Sequence, residues 1–496
     1  MASPSHRTRR RAKAVVGLTA VIGLLGTSAA ISGSAATQPA PAAATVPSGV
    51  TPLQTRKSLL GEHVWYRQTR DGYPVVGGLY AVHIATAGAR AGDVSGWDGR
   101  VEVGALTATR ATVTSDAAVE AAVAYTGGTA RTFVAPSLWV LPGPESRLVW
   151  QVTTVTSGEV GASNVTYVDA VTGAVLESVV ESQSESAPDG DWHKGSGDTF
   201  DPNPVVKLQN EDFTDQNDSN AAVPAEGYSV RNIRHLDKSH TLVGRWARIV
   251  NPDIAMSPDD EFFYERADDD FEQLMGYYGL DRQQSFYQSL GFTDVNAESQ
   301  MIETNTIPDD NSFFSPSQDL ITMGAGGVDD AEDPEVTWHE GGHATQHDQV
   351  PGFGASIEAG AIGEGFGDYI AVTLSQRRAK NTELTPWACV MDWDAVSYSP
   401  GPTHCLRRTD TDKTYPDDLV GQVHADGEIW SRALWDMNLS MGRRDATTAI
   451  LEAQFSFTPS ITMPAAAALI VSAATDLYGE AAGELAQTAF EDRGIL

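Results

Sequence analysis

The chain has 496 residues, enough for two to four domains, and 41% of them are hydrophobic, which excludes an intrinsically disordered protein. The formal net charge is −33. A surface of that sign repels phosphate backbones, so the composition argues against a nucleic-acid partner and is most simply a means of staying soluble.

The first residues follow the pattern of a secretory signal peptide. Basic residues between Arg7 and Lys13 precede an apolar run over residues 14–31, and small residues close the run at 34–36. This pattern predicts a signal peptide over residues 1–36 and an extracellular protein. A membrane anchor is the alternative, but the run contains Gly, Ser and Thr and is short for a stable span, so we expect no membrane partner. Twin-arginine export stays open.

Residues 37–185 are predicted to form a small α+β region. After a linker rich in Ala, Pro and Thr, β-rich runs over 64–68 and 75–84 flank a turn at Asp71-Gly72. A helix is expected over 115–126 with Ser115 as its cap, followed by strands over 148–155 and 165–168. No cluster of catalytic residue types occurs in this region.

The clearest domain boundary is the stretch 181–204, which is rich in Ser, Asp, Gly and Pro. Mixed strands are expected from there to about residue 250. Helical periodicity then dominates, at 271–278, 282–290, 465–478 and 481–490. The fold class is therefore predicted to be α+β, with a second and larger domain over residues 186–496.

The most specific motif is His-Glu-Gly-Gly-His, which fits the H-E-x-x-H pattern. On a helix, residues four apart share a face, so the imidazoles of His339 and His343 can bind one zinc ion. Glu340 lies beside that face and is predicted to be the general base that takes a proton from the attacking water. The two internal glycines indicate a close approach of another element. A chance match is the alternative.

A third ligand is expected downstream. Glu364 and Asp368 are also four apart, so Glu364 is the predicted third ligand and Asp368 the carboxylate that accepts a proton from a ligand histidine. Glu358 is the alternative ligand, and we place it before the helix. The metzincin pattern is excluded because Gln346 and Gln349 occupy its later positions.

These motifs resemble those of the gluzincin peptidases, which include thermolysin and fungalysin, and fungalysin is the closer match. The sequence Gly-Ala-Ile-Gly-Glu-Gly-Phe-Gly-Asp around Glu364 carries part of the likeness. Residues 63–83 and 148–176 resemble the fungalysin/thermolysin propeptide (FTP) and its PepSY-like companion. Residues 423–430 resemble the segment that carries the catalytic histidine, which would be His424.

The resemblance implies the architecture of the larger domain. It implies a strand-rich N-lobe over about 186–345 and a mainly helical C-lobe over about 346–496, with the zinc helix between them. Asn311 and Ser312 resemble the start of a substrate-binding edge strand. The family tyrosine between the second histidine and the glutamate ligand is missing here, and Tyr369 lies beyond Glu364.

The resemblance also implies the activity: a secreted, zinc-dependent endopeptidase that cleaves internal peptide bonds of proteins and peptides. His424 would help to stabilise the oxyanion, with Asp417 or Asp418 orienting its ring. Residues 37–185 would be a propeptide that acts as intramolecular inhibitor and chaperone. We expect a monomer. Three arginines are candidates for substrate binding: Arg407, Arg408 and Arg432.

Two further features concern stability. Cys389 and Cys405 are the only cysteines, and in an exported protein they are expected to form a disulfide. Acidic clusters occur at 259–261, 268–270 and 329–333, and carboxylates of this kind can bind calcium, although none has EF-hand spacing. The alternative is a solvated acidic face, and residues 329–333 also suit the helix dipole of the zinc helix.

Two other functions compete with the endopeptidase. One is an inactive binding protein with the same fold, which the presence of Glu340 disfavours because a scaffold needs no general base. The other is an aminopeptidase, which usually carries a Gly-x-Met-Glu-Asn motif that this chain lacks.

Overall fold

The structure is a computed structural model, and it describes residues 46–127, 129–130, 135–155, 163–179, 190–398 and 403–496. The predicted signal peptide, most of the linker and the predicted end of the propeptide at residue 185 lie outside these residues. Of the helices in the described ranges, none combines the length and the apolar character that crossing a bilayer requires.

The N-terminal part of the chain is built mainly of strands. Seven of them form one sheet in the order β1-β2-β3-β7-β8-β9-β10, while β4 pairs with β3 and both β5 and β6 pair with β8. The strands are β1 Val50–Lys57, β2 Gly61–Arg70, β3 Tyr73–Ala85, β4 Val94–Gly99, β5 Ala105–Leu106, β6 Thr129–Ala130, β7 Ser137–Leu141, β8 Glu145–Val155, β9 Ser163–Asp169 and β10 Val175–Val179.

Helix α1 (Ser115–Thr126) lies where the sequence predicts it. Its cap, however, is Thr114, whose hydroxyl oxygen accepts a hydrogen bond from the backbone N–H of Ala117. The prediction that Ser115 is the cap was wrong by one residue, because both hydroxyl side chains suit the position and only the backbone conformation distinguishes them.

The stretch 181–204 is not wholly a linker. Its second half contains a strand, β11 (His193–Thr199), which pairs with strands later in the chain. A Cβ atom on Gly195 would lie 2.2 Å from the carbonyl oxygen of Asp260, and one on Gly197 would lie 2.4 Å from that of Phe262. These glycines therefore permit close backbone approach within a sheet, whereas the sequence pattern predicted a domain boundary here.

The following part of the chain contains three small sheets, with strand orders β12-β11-β14, β13-β15-β17-β16 and β18-β19. In the second of these, β16 is an edge strand, and within the described part of the chain it pairs with β17 alone, in antiparallel orientation. The strands are β12 Ser229–Leu236, β13 Ala247–Ile249, β14 Glu261–Phe262, β15 Gln300–Ile307, β16 Phe313–Ser315, β17 Leu320–Gly324, β18 Cys389–Val390 and β19 Arg407–Arg408.

Helices dominate the rest of the chain. The two helical segments predicted over 271–278 and 282–290 form one continuous helix, α3, and the two predicted C-terminal helices are α8 and α9. The helices are α2 Pro204–Leu208, α3 Asp270–Leu290, α4 Pro334–Gln349, α5 Ile357–Ser375, α6 Val423–Met441, α7 Arg443–Gln454, α8 Met463–Tyr478 and α9 Glu480–Glu491. The predicted α+β class is confirmed, with a strand-rich N-terminal region and a helical C-terminal part.

The hydrophobic core joins the N-terminal sheet to the C-terminal helices. Trp65, Leu79 and Ala81 of the sheet belong to the same buried cluster as Ile450 and Phe455. The Trp65 side chain is fully buried, and burial of a large apolar side chain contributes about 1.5–3 kcal/mol. The two parts of the chain are therefore held together by a shared apolar interface.

Candidate metal centre

Helix α4, which carries the His-Glu-Gly-Gly-His motif, begins at a well-defined cap. The Asp333 carboxylate accepts a hydrogen bond from the backbone N–H of Glu335, and Pro334 occupies the first helical position. Both features favour helix initiation at this point. The helix places His339 and His343 on one face, as their spacing predicts.

Glycines allow α4 and α5 to approach closely beneath the histidines. A Cβ atom on Gly342 would lie 3.1 Å from the Cα atom of Gly367, and one on Gly367 would lie 2.6 Å from Nδ1 of His339. On the other side of α4, a Cβ atom on Gly341 would collide with the side chain of Gln283. The glycines in the motif therefore serve helix packing, as the sequence indicated.

Three predicted ligands converge at this point. Nε2 of His339 lies 3.2 Å from Nε2 of His343 and 3.2 Å from Oε2 of Glu364, and Nε2 of His343 lies 3.6 Å from Oε1 of Glu364. Ligand atoms about 2.0–2.2 Å from a tetrahedral zinc ion are separated from one another by about 3.3–3.6 Å. The spacing of these three side chains therefore fits one zinc ion.

The alternative ligand, Glu358, does not reach this position. It lies in the first turn of α5 and not before the helix as the sequence suggested, and its Oε1 atom accepts a hydrogen bond from the backbone N–H of Met463. Glu340 does lie beside the histidines, because a carboxylate oxygen of Glu340 and nitrogens of both rings are all within 4.8 Å of one another.

Asp368 lies beside Nδ1 of the first histidine ring. Its Oδ1 atom lies 3.0 Å from Nδ1 of His339, and Arg407 donates two hydrogen bonds to the carboxylate at 2.8 and 2.7 Å. Burial opposes the charge of Asp368, but Arg407 and His339 outweigh it and lower the pKa of this carboxyl to about 2. Arg407 is thus bound to Asp368, a role that the sequence did not reveal.

The electrostatics of the centre favour positive charge. Burial alone would lower the pKa of His339, but Asp368 and Glu364 outweigh it and raise this pKa to about 10. The carboxylates thus stabilise a cation at the point where the three ligand atoms meet. A dication would be stabilised by the same carboxylates.

His424 lies in the first turn of α6, across from the histidine pair. Its Nε2 atom is 3.4 Å from Oε2 of Glu364, and about half of its side chain is exposed. The Nδ1 atom of the ring is 2.8 Å from Nε2 of Gln422. The neighbour of Nδ1 is therefore Gln422 and not Asp417 or Asp418; Asp418 instead accepts hydrogen bonds from Thr414.

The metal-ligand side chains open into a cavity of ≈ 350 Å³. Asn311 and Ser312 line it, next to edge strand β16, together with Phe353. The Ser312 hydroxyl donates a hydrogen bond to Oδ2 of Asp330, so it is turned toward the start of α4. The cavity and the edge strand therefore lie side by side.

The other residues considered for oxyanion stabilisation or substrate binding have partners of their own. The Tyr369 side chain is fully buried and its hydroxyl group is 2.8 Å from Oγ1 of Thr447, so it is not available as an oxyanion donor. Arg408 pairs with Asp410, and Arg432 pairs with Asp436.

Cys389 and Cys405 form a disulfide, which confirms the prediction. It links β18 to the segment just before β19, and the two strands pair through Cys389 with Arg408 and Val390 with Arg407. The covalent link thus lies beside the strand that presents Arg407 to Asp368.

Comparisons with known proteins concern mainly the N-terminal region. Residues 49–90 match the Fungalysin/Thermolysin Propeptide Motif, and residues 112–179 match the Peptidase propeptide and YPEB domain, PepSY. These matches confirm the predicted resemblance to propeptide-bearing, thermolysin-like metallopeptidases.

Among solved structures, the chain is similar to the precursor of protealysin, a metalloproteinase from Serratia proteamaculans. The identity is 14%, the match covers 45% of this chain and 79% of that chain, and the TM-score is 0.37. No curated protein matches the chain.

Proposed function

We propose that the chain is the precursor of a secreted zinc metalloendopeptidase. The observation that carries this proposal is the convergence of His339, His343 and Glu364 at zinc-ligand spacing, with Glu340 beside them, in a cavity that borders an edge strand. The propeptide matches support the same class of enzyme. Zinc bound by the three ligands supplies Lewis acidity, which polarises a peptide carbonyl and makes water more acidic.

The substrate is bound as an extended chain. Among the strands that the structure describes, β16 pairs on one side only, so a peptide can add to its other side through main-chain hydrogen bonds, with Asn311 beside it to contact the substrate. This mode of binding places an internal peptide bond over the metal centre. It therefore favours endopeptidase activity over removal of terminal residues.

Glu340 acts as general base and then as general acid. Its carboxylate accepts a proton from the water that attacks the carbonyl carbon, and passes the proton to the amide nitrogen as the C–N bond breaks. His424 faces the metal ligands through Nε2 and donates a hydrogen bond to the oxyanion that develops. Asp368 and Arg407 hold the His339 ring in orientation.

The pro-region, residues 37–185, is proposed to be a removable inhibitor and folding aid. Gln54 and Arg56 of β1 donate hydrogen bonds to Asp348 at the end of α4. A cavity of ≈ 560 Å³ lined partly by β1 also contacts Phe314 and His347, which border the metal-centre cavity as well. The residues that line the metal-centre cavity lie between 311 and 424, so no described residue of the pro-region is among them. The pro-region is therefore proposed to inhibit from beside the substrate edge.

The decisive experiment compares Glu340→Gln with the unchanged enzyme. The variant should keep one zinc per chain, measured by mass spectrometry of the metal, and lose nearly all cleavage of casein. Glu358→Gln is the matched control, because the Glu358 carboxylate accepts a hydrogen bond from Met463 and does not line the metal-centre cavity, and it should retain activity. A Glu340→Gln variant that still cleaves, or that has lost its zinc, would contradict the roles assigned.

Metal dependence and cleavage mode complete the test. Exhaustive chelation should abolish activity, and added zinc should restore it. A peptide blocked at both ends should be cut internally, with the products identified by mass spectrometry. Cleavage that survives chelation, or that requires a free terminus, would refute the metal or the endopeptidase assignment respectively.

A further inference from the structure

A cavity that shares no lining residue with the metal-centre cavity is lined largely by arginines. Its volume is ≈ 650 Å³. The chain has 66 acidic residues against 33 basic ones, yet seven of the basic residues gather at this one place. We call it the arginine cavity, and its basic residues are Arg231, Arg234, Arg282, Arg377, Arg378, Arg443 and Arg444.

Four separate parts of the chain supply these side chains. Two arginines come from β12, one from α3, two from the residues that follow α5, and two from the first turn of α7. The cavity is therefore created by the packing of distant elements and not by a single run of basic residues.

Few carboxylates neutralise the arginines. Asp281 is the one carboxylate among the described residues that line the cavity, and its Oδ1 atom is already bound to Nδ1 of His235. The buried Asp201 carboxylate accepts hydrogen bonds from both Arg282 and Arg378. Within the described part of the chain, the other five arginines form no ion pair. Seven guanidinium groups against two carboxylates leave an excess of five positive charges.

This excess of charge is unfavourable for the folded chain by itself. Burial lowers the pKa of Arg443, and the positive charges of Arg377, Arg282 and Arg444 lower it further. The Nε atom of Arg231 is buried and donates to no acceptor that the structure describes. Buried donors normally have a partner, so the cavity lacks an acceptor that a bound anion would supply.

The start of α7 shows the same need. Arg443 and Arg444 lie in its first turn, where the helix dipole disfavours cations and favours anions. The cap residue, Gly442, has no side chain that could accept a hydrogen bond from the helix. Asp445 is the acidic residue of this turn, and it does not line the cavity. An anion bound beside the two arginines would offset both disadvantages.

We propose that the arginine cavity binds a compact polyanion that carries several phosphate groups. The planar guanidinium group donates paired hydrogen bonds to phosphate oxygens. A terminal phosphate group carries about −1.5 to −2 near neutral pH, so a small molecule with three phosphate groups can balance the excess charge. The cavity volume lies in the range of small-molecule sites, about 300–1,000 Å³.

The aromatic residues of the cavity disfavour a nucleic-acid strand as the ligand. The Arg443 guanidinium lies over the Phe286 ring, 5.7 Å from its centroid, and the Tyr278 hydroxyl group is bound to Asp201. These rings are engaged by the protein itself, whereas proteins that bind single strands stack the bases on aromatic side chains. The net charge of −33 also opposes a strand that extends beyond the cavity.

Binding is tested by calorimetric titration of the full-length, zinc-loaded Glu340→Gln chain with inorganic tripolyphosphate. One tripolyphosphate should bind per chain, and orthophosphate should bind much more weakly because a single phosphate group reaches fewer arginines. In the double variant Arg234→Gln, Arg377→Gln, Kd for tripolyphosphate should rise about tenfold or more, since charge-assisted hydrogen bonds are lost. Both side chains are exposed and have no ion pair to lose, so the variant should fold.

The double variant Arg110→Gln, Arg245→Gln is the matched control. It changes the net charge equally at two exposed arginines that do not line the cavity, and it should keep the Kd of the parent. The chains are compared at equal zinc content, measured after each titration, because tripolyphosphate also binds metal ions. Equal Kd values in the three chains, or no binding to the parent, would overturn the site.

Melting temperatures give a second measurement. Without ligand, Arg234→Gln, Arg377→Gln should melt no lower than the parent, because repulsion between guanidinium groups is reduced. Tripolyphosphate should raise the melting temperature of the parent and of the control more than that of this variant. Sucrose octasulfate tests the chemistry of the ligand, and tighter binding of it than of tripolyphosphate would refute the assignment to phosphate. None of these results depends on the proposed peptidase activity.

Discussion

The side-chain amide of Gln422 determines which nitrogen of His424 carries the proton. Its Oε1 atom accepts the backbone N–H of Ala425 as the cap of α6, so its Nε2 atom is the one that faces Nδ1 of His424. An amide nitrogen can only donate, so Nδ1 is the acceptor and Nε2 carries the hydrogen. Burial also lowers the pKa of His424, and the nearby Glu364 only partly opposes this. A neutral ring with Nε2–H toward the metal ligands is suited to donate to an oxyanion.

We predict that His424→Ala lowers kcat by about 10²–10³, the usual effect of removing one oxyanion donor. Zinc content and folding should be unchanged, because the side chain is about half exposed and lies outside the ligand set. Steady-state kinetics and metal analysis measure the two quantities.

His240→Ala is the control for this variant. Its side chain is 50% exposed, and it does not line the metal-centre cavity. It should behave as the unchanged enzyme. Near-normal kcat in His424→Ala would remove His424 from the mechanism.

At the scale of elements, the short β18–β19 hairpin supports the metal centre indirectly. The disulfide closes a loop with a sequence separation of 16 and holds β18 against the chain that leads into β19. Arg407 on β19 then holds Asp368, and Asp368 holds His339. Loosening the hairpin should therefore affect both stability and the ligand helix.

We predict that replacing both cysteines with alanine lowers the free energy of unfolding by about 3 kcal/mol, the value of the chain-entropy model for a loop of this size. Both are replaced so that no free thiol remains. Chemical denaturation of the Glu340→Gln background with and without the disulfide measures the difference.

Reduction of the native disulfide under mild conditions should reproduce the same loss. Zinc should also dissociate at a lower denaturant concentration than in the parent, because Arg407 is less firmly held. Superimposable unfolding curves would show that the hairpin is stable without its covalent link.

At the scale of the whole molecule, a histidine pair within the pro-region borders the helical part. Nδ1 of His63 lies 2.9 Å from Nδ1 of His83, and the His63 ring stacks on Phe455 at a centroid distance of 4.9 Å. Burial lowers the pKa of His63 to about 3 and that of His83 to about 4, and the His63 value is lowered further by His83. Both rings are therefore neutral in the docked pro-region.

The sign of the pH effect follows from these values. We expect undocking to expose both rings, so that their pKa values return toward the ordinary 6.5 of a histidine and they bind protons that the docked histidines do not. The contribution of the pair to docking is complete above pH about 6.5 and is lost progressively as the pH falls toward 4. Acidification should therefore release the pro-region, and neutral pH should retain it.

We predict that added protease digests the pro-region of the Glu340→Gln chain faster as the pH falls from 7 to 4.5. In the double variant His63→Asn, His83→Asn this pH dependence should be weaker. A protease active across the range, with digestion followed by mass spectrometry, gives the rates. His193→Asn, which changes a histidine outside this interface, should leave the pH dependence as it was. A parent and double variant with the same pH profile would exclude the histidine pair as its cause.

The sequence alone determined the features that lie within one element. The spacing of four residues places His339 with His343 and Glu364 with Asp368, because helix geometry relates such positions directly. The fold class, the propeptide resemblance and the disulfide were also predictable, the last because the chain has only two cysteines. These predictions use local periodicity, composition or pairing by elimination.

The tertiary structure alone decided the contacts between separate elements. It placed Arg407 on Asp368, Gln422 on His424, and Asp310, Asp330 and Asp394 around one point. It also showed that Gly195 and Gly197 belong to a strand. Such contacts depend on how helices and strands pack, and packing is set by the sum of many side-chain interactions that no local pattern records.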